Sequence, residues 1–132
     1  MITNDAAASL AINPTEHVKS SNCLSYDGTA LMMDGVSLAD IAKTFGTPTY
    51  VYSQQAILAA YKAYDDSFAE IEHQICYAVK ANSNLAVLNE LAKVGAGFDI
   101  VTGGELARVL AAGGDPKKIV FSGLGKTAED IR

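Results

Sequence analysis

The pattern of hydrophobic and polar residues becomes regular after Pro48, where short apolar runs alternate with longer amphipathic stretches. The runs are rich in β-branched and aromatic residues and have the length of strands, whereas the stretches between them place apolar residues at helical spacing. Strands that alternate with helices form right-handed crossovers and a parallel sheet covered by helices. The pattern therefore predicts an α/β fold with strands at residues 49–52, 75–79, 98–101 and 119–121.

Three amphipathic helices are predicted between these strands. The first extends to about Glu70, the second ends near Gly95, and the third is stopped by Gly113-Gly114 and Pro116. The residues expected on their apolar faces are Ile57, Tyr61, Tyr64 and Phe68 in the first helix, Leu85, Leu88 and Leu91 in the second, and Leu106, Val109 and Leu110 in the third.

A shorter unit is predicted before Pro48. Residues 24–33 are typical of a β-hairpin with Asp27-Gly28 as its tight turn, and Asp34-Gly35 predicts a second turn. Ser37, with Asp40 three residues later, predicts the start of a short helix that ends at Gly46.

These patterns divide the chain into a loose polar leader at residues 1–23, an opening segment at residues 24–47 and a strand–helix part at residues 48–132. Residues 127–130 have the composition of a helix start, and only Ile131 and Arg132 follow them. A helix needs more residues to propagate, so we expect the sequence to be the amino-terminal part of a longer protein.

Composition excludes several classes of protein. A formal net charge of −5 and a pI of about 4.8 argue against a nucleic-acid binder, which would carry a basic stripe. We see neither a secretory signal nor an apolar run long enough to span a membrane, which makes a cytoplasmic protein the expectation. Cys23 and Cys76 are expected to be reduced, and His17 and His73 lack the spacing of metal ligands and are expected at the surface.

The candidate for chemistry is Lys80, which follows the predicted strand at residues 75–79 directly. Ligands of parallel sheets bind at the carboxyl ends of the strands. A lysine held there beside apolar neighbours is partly desolvated, and its amine can form a Schiff base with an aldehyde. The alternative interpretation is a lysine whose stem packs on the core while its ammonium reaches water.

Two carboxylates follow on the next strand and helix. Asp99 lies inside a predicted strand, where an aspartate is poorly placed unless it has a partner, and it could neutralise the lysine amine. Glu105 lies in the first turn of a predicted helix, where the helix dipole alone favours an acid. Asn82 and Asn84 can be explained as caps of the second helix.

Two glycine-rich segments do not match nucleotide-binding motifs. Gly123-Leu124-Gly125-Lys126-Thr127 has Val120 where a P-loop needs its first glycine, and Gly95-Ala96-Gly97 has Ile100 where a dinucleotide fingerprint needs its third. Glycine-rich turns at strand ends could still bind a phosphate through backbone N–H groups.

Three segments together resemble a known family. They are Tyr77-Ala78-Val79-Lys80-Ala81-Asn82-Ser83-Asn84, the run from Gly95 to Leu106, and Ile119-Val120-Phe121-Ser122-Gly123-Leu124-Gly125-Lys126-Thr127. In this order they are similar to diaminopimelate decarboxylase, within the alanine-racemase-like pyridoxal-phosphate enzymes. The resemblance covers residues 48–132, and the opening segment is also similar to the family's.

The resemblance implies the first four strands of a (β/α)8 TIM barrel, with the opening segment packed on a carboxy-terminal β-domain that is not part of this sequence. It implies that Lys80 forms the Schiff base with pyridoxal 5'-phosphate, with Asp99 and Glu105 as further cofactor-binding residues and no metal. The implied reaction removes carbon dioxide from the D-configured centre of meso-diaminopimelate and gives L-lysine, in a homodimer. The family's other site residues would follow Arg132, so the 132-residue chain alone is expected to be inactive.

Two alternatives remain open. The enzyme could decarboxylate another amino acid, such as ornithine or arginine, because the substrate-selecting loops would lie outside this sequence. The chain could instead be a truncated, non-catalytic binding or regulatory partner, because an exposed strand edge favours association.

Overall fold

The structure, a computed structural model, describes residues 23–132. The predicted leader therefore lies outside the described residues, apart from Cys23, and so does His17. The chain forms two compact units, one ending at Ser53 and the other comprising Gln54–Arg132.

The first unit is an antiparallel sheet followed by a short helix, with the elements β1 (Leu24–Asp27), β2 (Ala30–Met33), β3 (Val36–Ser37) and α1 (Leu38–Phe45). Asp27 pairs with Ala30, which leaves Gly28 and Thr29 as the two-residue hairpin loop. The φ angle of Gly28 is 59°, a conformation that glycine adopts without the steric cost of a Cβ. The predicted hairpin is confirmed, and its loop lies one residue later than the predicted Asp27-Gly28 turn.

The helix α1 is also confirmed at both ends. The Ser37 hydroxyl accepts a hydrogen bond from the Asp40 amide at 3.2 Å, and the helix stops at Gly46, whose φ is 82°. The strand β3 was not predicted, because two residues are too short for an alternating pattern.

The second unit is a three-stranded parallel sheet in the order β4-β5-β6, with one helix before it and one in each crossover. Its elements are α2 (Gln54–Ser67), β4 (Cys76–Ala78), α3 (Leu85–Lys93), β5 (Gly97–Ile100), α4 (Gly103–Ala111) and β6 (Ile119–Phe121). Short 3₁₀ turns, Val79–Ala81 and Pro116–Lys118, follow β4 and precede β6. The predicted alternation and the parallel pairing are confirmed.

The prediction of a strand at residues 49–52 is wrong. These residues form no strand, and the exposed fractions of Tyr50 and Tyr52 are 89% and 55%. β-branched and aromatic residues favour strands because they fit a paired, half-buried surface, and here no neighbouring strand pairs with them. In residues 23–132 the parallel sheet therefore has three strands instead of four.

The core of the second unit lies between the sheet and its helices. Phe98 and Ile100 point to the helix side of β5 and are fully buried, together with Leu88 from α3 and Val109 from α4. The predicted apolar faces are confirmed at these helix positions and at Leu91, Ile57 and Tyr61. They are wrong at four positions that are largely exposed, namely Tyr64, Phe68, Leu85 and Leu110.

Element ends differ by a few residues from the predictions. The helix α2 ends at Ser67 instead of Glu70, and β4 has three residues instead of five. Residues 127–130 form a turn in which the Thr127 and Asp130 side chains each accept a hydrogen bond from the other residue's amide. The capping pattern recognised in the sequence is therefore present as two reciprocal hydrogen bonds between Thr127 and Asp130.

Both described cysteines are free thiols, as expected. Within residues 23–132 no helix has both the length and the apolar character needed to cross a membrane. The same part of the chain contains no group of three or more His, Cys, Asp and Glu side chains that could hold a metal ion.

The side chain of His73, which was expected at the surface, is partly buried and has an exposed fraction of 21%. Its Nδ1 lies 3.0 Å from the Ile71 carbonyl oxygen and its Nε2 lies 3.0 Å from Oδ1 of Asp65. Both partners can only accept, so the imidazolium form alone can donate to both. The Ile71 carbonyl and the Asp65 carboxylate accordingly raise the pKa of His73 above its ordinary value of 6.5.

We expect this histidine to make stability depend on pH. A pKa raised in the folded state contributes stability that is complete below about pH 6.5 and is lost as the pH rises through the folded value. The unaltered full-length protein should therefore lose thermal stability over that interval, and His73→Gln should lack this loss. Scanning calorimetry at several pH values checks it, and parallel curves for the two proteins would contradict it.

Candidate functional site

The candidate site lies at the carboxyl ends of the three parallel strands. Lys80 is the middle residue of the 3₁₀ turn that follows β4, two residues after the last strand residue, Ala78. Ala78 pairs with Asp99 on β5, and Asp99 pairs with Val120 on β6. Paired residues of parallel strands share one face of the sheet, so this row lies on the face opposite to the Phe98 core. Lys80 thus follows the strand at the predicted end of the sheet.

The surroundings of Lys80 differ from the expectation. Among the described residues its side chain is exposed, and its ammonium has no hydrogen-bond or ion-pair partner. The residue before it, Val79, is fully buried and anchors the turn in the core. The apolar neighbours that would desolvate the amine are therefore not supplied by residues 23–132, and the amine is accessible to a ligand.

Asp99 has the least satisfied polar group of the site. Its Oδ1 is buried and has no hydrogen-bond partner among the described residues. A buried carboxylate oxygen without a partner is destabilising, so this oxygen is left to be paired by a group that is not among the described residues. The Lys80 ammonium, which the sequence suggested as a partner of Asp99, forms no ion pair with it among the described residues.

Glu105 holds the turn between β5 and α4. Its Oε2 accepts a hydrogen bond from the Val101 amide at 2.6 Å, and its own amide donates to the Thr102 hydroxyl at 3.1 Å. This reciprocal arrangement is a capping box shifted by one residue, and it fixes the direction in which the chain leaves β5. One carboxylate oxygen therefore has a structural role.

The side chains of the two asparagines after Lys80 both accept hydrogen bonds from the backbone. Asn84 Oδ1 accepts from the Ala86 amide at 2.9 Å and caps α3, and Asn82 Oδ1 accepts from the Asn84 amide at 3.0 Å. The interpretation as a cap of the second predicted helix is confirmed for Asn84 and is wrong for Asn82, whose side chain accepts from an amide before that helix.

Lys126, in the glycine-rich loop after β6, binds to groups of the same loop and strand. Lys126 Nζ donates to the Gly123 carbonyl at 2.5 Å and lies 5.4 Å from the centroid of the Phe121 ring. The ammonium is thus folded back on its own loop, in agreement with the exclusion of a P-loop.

Two cavities of the second unit lie away from these residues. An apolar cavity of about 330 Å³ is enclosed by α2, β4 and Leu91, and a more polar one of about 260 Å³ lies beside His73 and Lys118. Neither is lined by Lys80, Asp99 or Glu105. The candidate site of the described residues is therefore the open mouth at the strand ends.

Sequence reasoning did not identify Tyr77 and Arg108 as part of the site. The Tyr77 hydroxyl donates to the Asn82 carbonyl at 3.2 Å, and Arg108 Nη1 donates to the Ser83 carbonyl at 3.3 Å. A phenol three residues before the lysine was a usable signal for the first contact. The second joins residues 25 positions apart, and no local pattern announces it.

Comparison with known proteins gives a consistent result. Residues 54–132 match the family model described as "Pyridoxal-dependent decarboxylase, pyridoxal binding domain". The chain is 63% identical over 108 residues to diaminopimelate decarboxylase of Pseudomonas aeruginosa, with 82% of this chain and 26% of that protein covered. It is 60% identical over 111 residues to the Pseudomonas fluorescens enzyme of that name, with 84% and 27% covered.

A solved structure agrees with the fold. The crystal structure of diaminopimelate decarboxylase from M. jannaschii in complex with L-lysine superposes with a TM-score of 0.79 at 38% identity, covering 83% of this chain and 27% of that one. The chain thus spans about a quarter of the length of the relatives that it matches. Since the matched domain contains both the parallel sheet and the Lys80 turn, the chain belongs to the pyridoxal-dependent decarboxylase family.

Proposed function

We propose that this chain forms part of an enzyme that removes carbon dioxide from meso-2,6-diaminopimelate to give L-lysine, with pyridoxal 5'-phosphate attached to Lys80. The carrying observation is the accessible Lys80 amine at the ligand-binding end of a parallel sheet, inside the domain that matches a pyridoxal binding domain. The relatives at 60% identity or more named diaminopimelate decarboxylase support this substrate.

The residues at the mouth fit the cofactor. Lys80 Nζ is accessible and has no competing partner among the described residues, which leaves it available for covalent attachment to an aldehyde. The buried, unpartnered Oδ1 of Asp99 lies on the adjacent strand and can compensate positive charge that develops beside it. Both features fit a covalently held ligand that carries positive charge next to Asp99.

Each residue of the site has a proposed task. Lys80 binds the cofactor covalently and releases it to the amine of the substrate. Asp99 orients the lysine and the cofactor through its charge, and Glu105 holds the β5–α4 turn with Oε2 while Oε1 is the atom proposed to contact the cofactor. When bound, pyridoxal phosphate supplies the electron-withdrawing ring that accommodates the electron pair left by departing carbon dioxide.

The proposal includes the wider architecture that the resemblance implies. Residues 48–132 are the first part of a (β/α)8 barrel, residues 24–47 pack on a carboxy-terminal β-domain, and the enzyme is a cytoplasmic homodimer that uses neither nucleic acid nor membrane. The parallel β–α units support the barrel, and the free thiols of Cys23 and Cys76 are typical of a reducing compartment.

Substrate profiling of the full-length protein with pyridoxal phosphate tests the function. We expect carbon dioxide and L-lysine from meso-diaminopimelate, with a kcat/KM about 10²-fold or more above those for ornithine and arginine, since a polar site rejects analogues that leave its groups unpaired. A higher kcat/KM for ornithine or arginine would show that the enzyme decarboxylates that amino acid instead. Absence of carbon dioxide from all three would favour the non-catalytic partner.

A further inference from the structure

The turn that carries Lys80 is held from the core side by a tyrosine. Tyr77 pairs with the fully buried Phe98, so its ring lies on the helix side of β4, and its hydroxyl reaches past the turn to the Asn82 carbonyl at 3.2 Å. The two residues joined by this hydrogen bond enclose the whole turn Val79–Ala81, with Lys80 at its centre. The hydrogen bond therefore joins the two ends of the segment that carries the lysine.

A second contact holds the next carbonyl group. Arg108 lies on the exposed side of α4, and its Nη1 donates to the Ser83 carbonyl at 3.3 Å. This bond connects the chain after Lys80 to the helix that follows β5, the strand of Asp99. It thus links the lysine turn to the element that carries the second candidate residue.

Two amides that follow the turn also have hydrogen-bond partners. Asn82 accepts from the Asn84 amide, and Asn84 accepts from the Ala86 amide and so joins the stretch to α3. The Lys80 side chain itself has no hydrogen-bond or ion-pair partner among the described residues. The point from which the Lys80 side chain extends is consequently set by its backbone, and contacts from Tyr77 and Arg108 hold the backbone just after it.

We propose that Tyr77 and Arg108 are positioning residues that fix the Lys80 turn, an inference that rests on the proposed function of Lys80. Their hydrogen bonds to two consecutive carbonyl groups keep the turn in one conformation before the cofactor binds. Attack on an aldehyde needs the amine within a narrow range of distance and angle, and small misplacements are costly in rate. Loss of either contact spreads the lysine over more conformations and slows its reaction with the cofactor.

Tyr77→Phe tests the first contact because it removes the hydroxyl and keeps the ring. In the full-length protein without cofactor, we expect amide hydrogen exchange of residues 79–84 to become about threefold to tenfold faster, the range for one hydrogen bond. We expect a decrease of similar size in the rate at which cyanoborohydride fixes pyridoxal phosphate on Lys80. We also expect kcat to fall by a similar factor, with a smaller change in KM. Tyr64→Phe, which removes an exposed hydroxyl from α2, should leave all three unchanged.

Arg108→Met and Arg108→Lys test the second contact. The methionine variant should accelerate exchange at residues 79–84 and slow fixation to a similar extent, and the lysine variant should recover part of both because it retains a donor. Exchange and fixation rates equal to those of the unaltered protein in Tyr77→Phe and Arg108→Met would overturn the positioning role while the proposed function stands. Failure of the unaltered protein to be labelled at Lys80 would instead remove the proposed function, and the positioning role with it.

Discussion

Replacing Lys80 by alanine is expected to lower carbon dioxide release by the full-length protein about 10³-fold or more, since covalent attachment of the cofactor is lost. The loss should appear in kcat, and added primary amines should recover part of it by replacing the missing nucleophile. Initial rates with saturating pyridoxal phosphate and meso-diaminopimelate measure the effect.

Lys117→Ala is the matched control. Lys117 is an exposed lysine in the turn before β6, at the opposite end of the sheet from Lys80, and its removal should leave the rate unchanged. A Lys80→Ala protein that retains more than about a tenth of the normal rate would show that another group performs the covalent step, because loss of an essential nucleophile costs far more.

Replacing Gly97 by alanine is expected to destabilise the protein by about 1–3 kcal/mol, the usual cost of overpacking a filled site. A Cβ at this first residue of β5 would lie 2.7 Å from the Lys118 carbonyl oxygen and 2.7 Å from Cys76 Sγ. It would also lie 2.6 Å from Gln74 Nε2, which crosses the sheet here and donates to the same carbonyl and to the Cys76 sulfur. The carbonyl belongs to the backbone of the neighbouring chain segment and cannot rotate away.

Gly104→Ala is the control for this substitution. Its nearest neighbour would be the Thr102 hydroxyl at 3.8 Å, an ordinary contact, and the position lies in α4, where alanine is favoured over glycine. Urea midpoints of the two variants without cofactor should therefore differ, with Gly97→Ala below the unaltered protein and Gly104→Ala at or above it. Equal midpoints would show that the sheet relaxes around residue 97 at little cost.

Most of the second unit was predictable from the sequence because its signals are local. Apolar runs of strand length, helical spacing at positions such as Leu88 and Val109, and glycines at helix ends all act within a few residues. They identified three of the strands and all three helices to within a few residues. The same is true of the hairpin at residues 24–33, since Asp27-Gly28 indicated its turn to within one residue of the loop Gly28-Thr29.

The failures have a shared physical cause, which is that they depend on partners distant in sequence. Residues 49–52 have the composition of a strand but no strand pairs with them, and composition cannot reveal that. The His73 ring is paired with Asp65, which lies on α2. An isolated histidine in the sequence gave no indication of this pair.

Some residues of the candidate site could likewise be identified from local sequence features, whereas the contacts between distant residues could not. Lys80 was identified because an amine at the end of a strand is a local feature, and Asp99 because a carboxylate inside a strand is an exception to the pattern. The Glu105 side chain was recognised as a residue of the first helical turn, but its bond to Val101 required coordinates. The contact of Arg108 with the Lys80 segment could not be predicted, because it joins different β–α units.

Peptide mapping after borohydride reduction is the most direct test of the role assigned to Lys80. The full-length protein is loaded with pyridoxal phosphate, reduced, digested and analysed by mass spectrometry. We expect one phosphopyridoxyl group per chain, on the peptide containing Lys80, and none on the peptides containing Lys117 or Lys126. Label on a different peptide, with the Lys80 peptide unmodified, would contradict the proposed attachment.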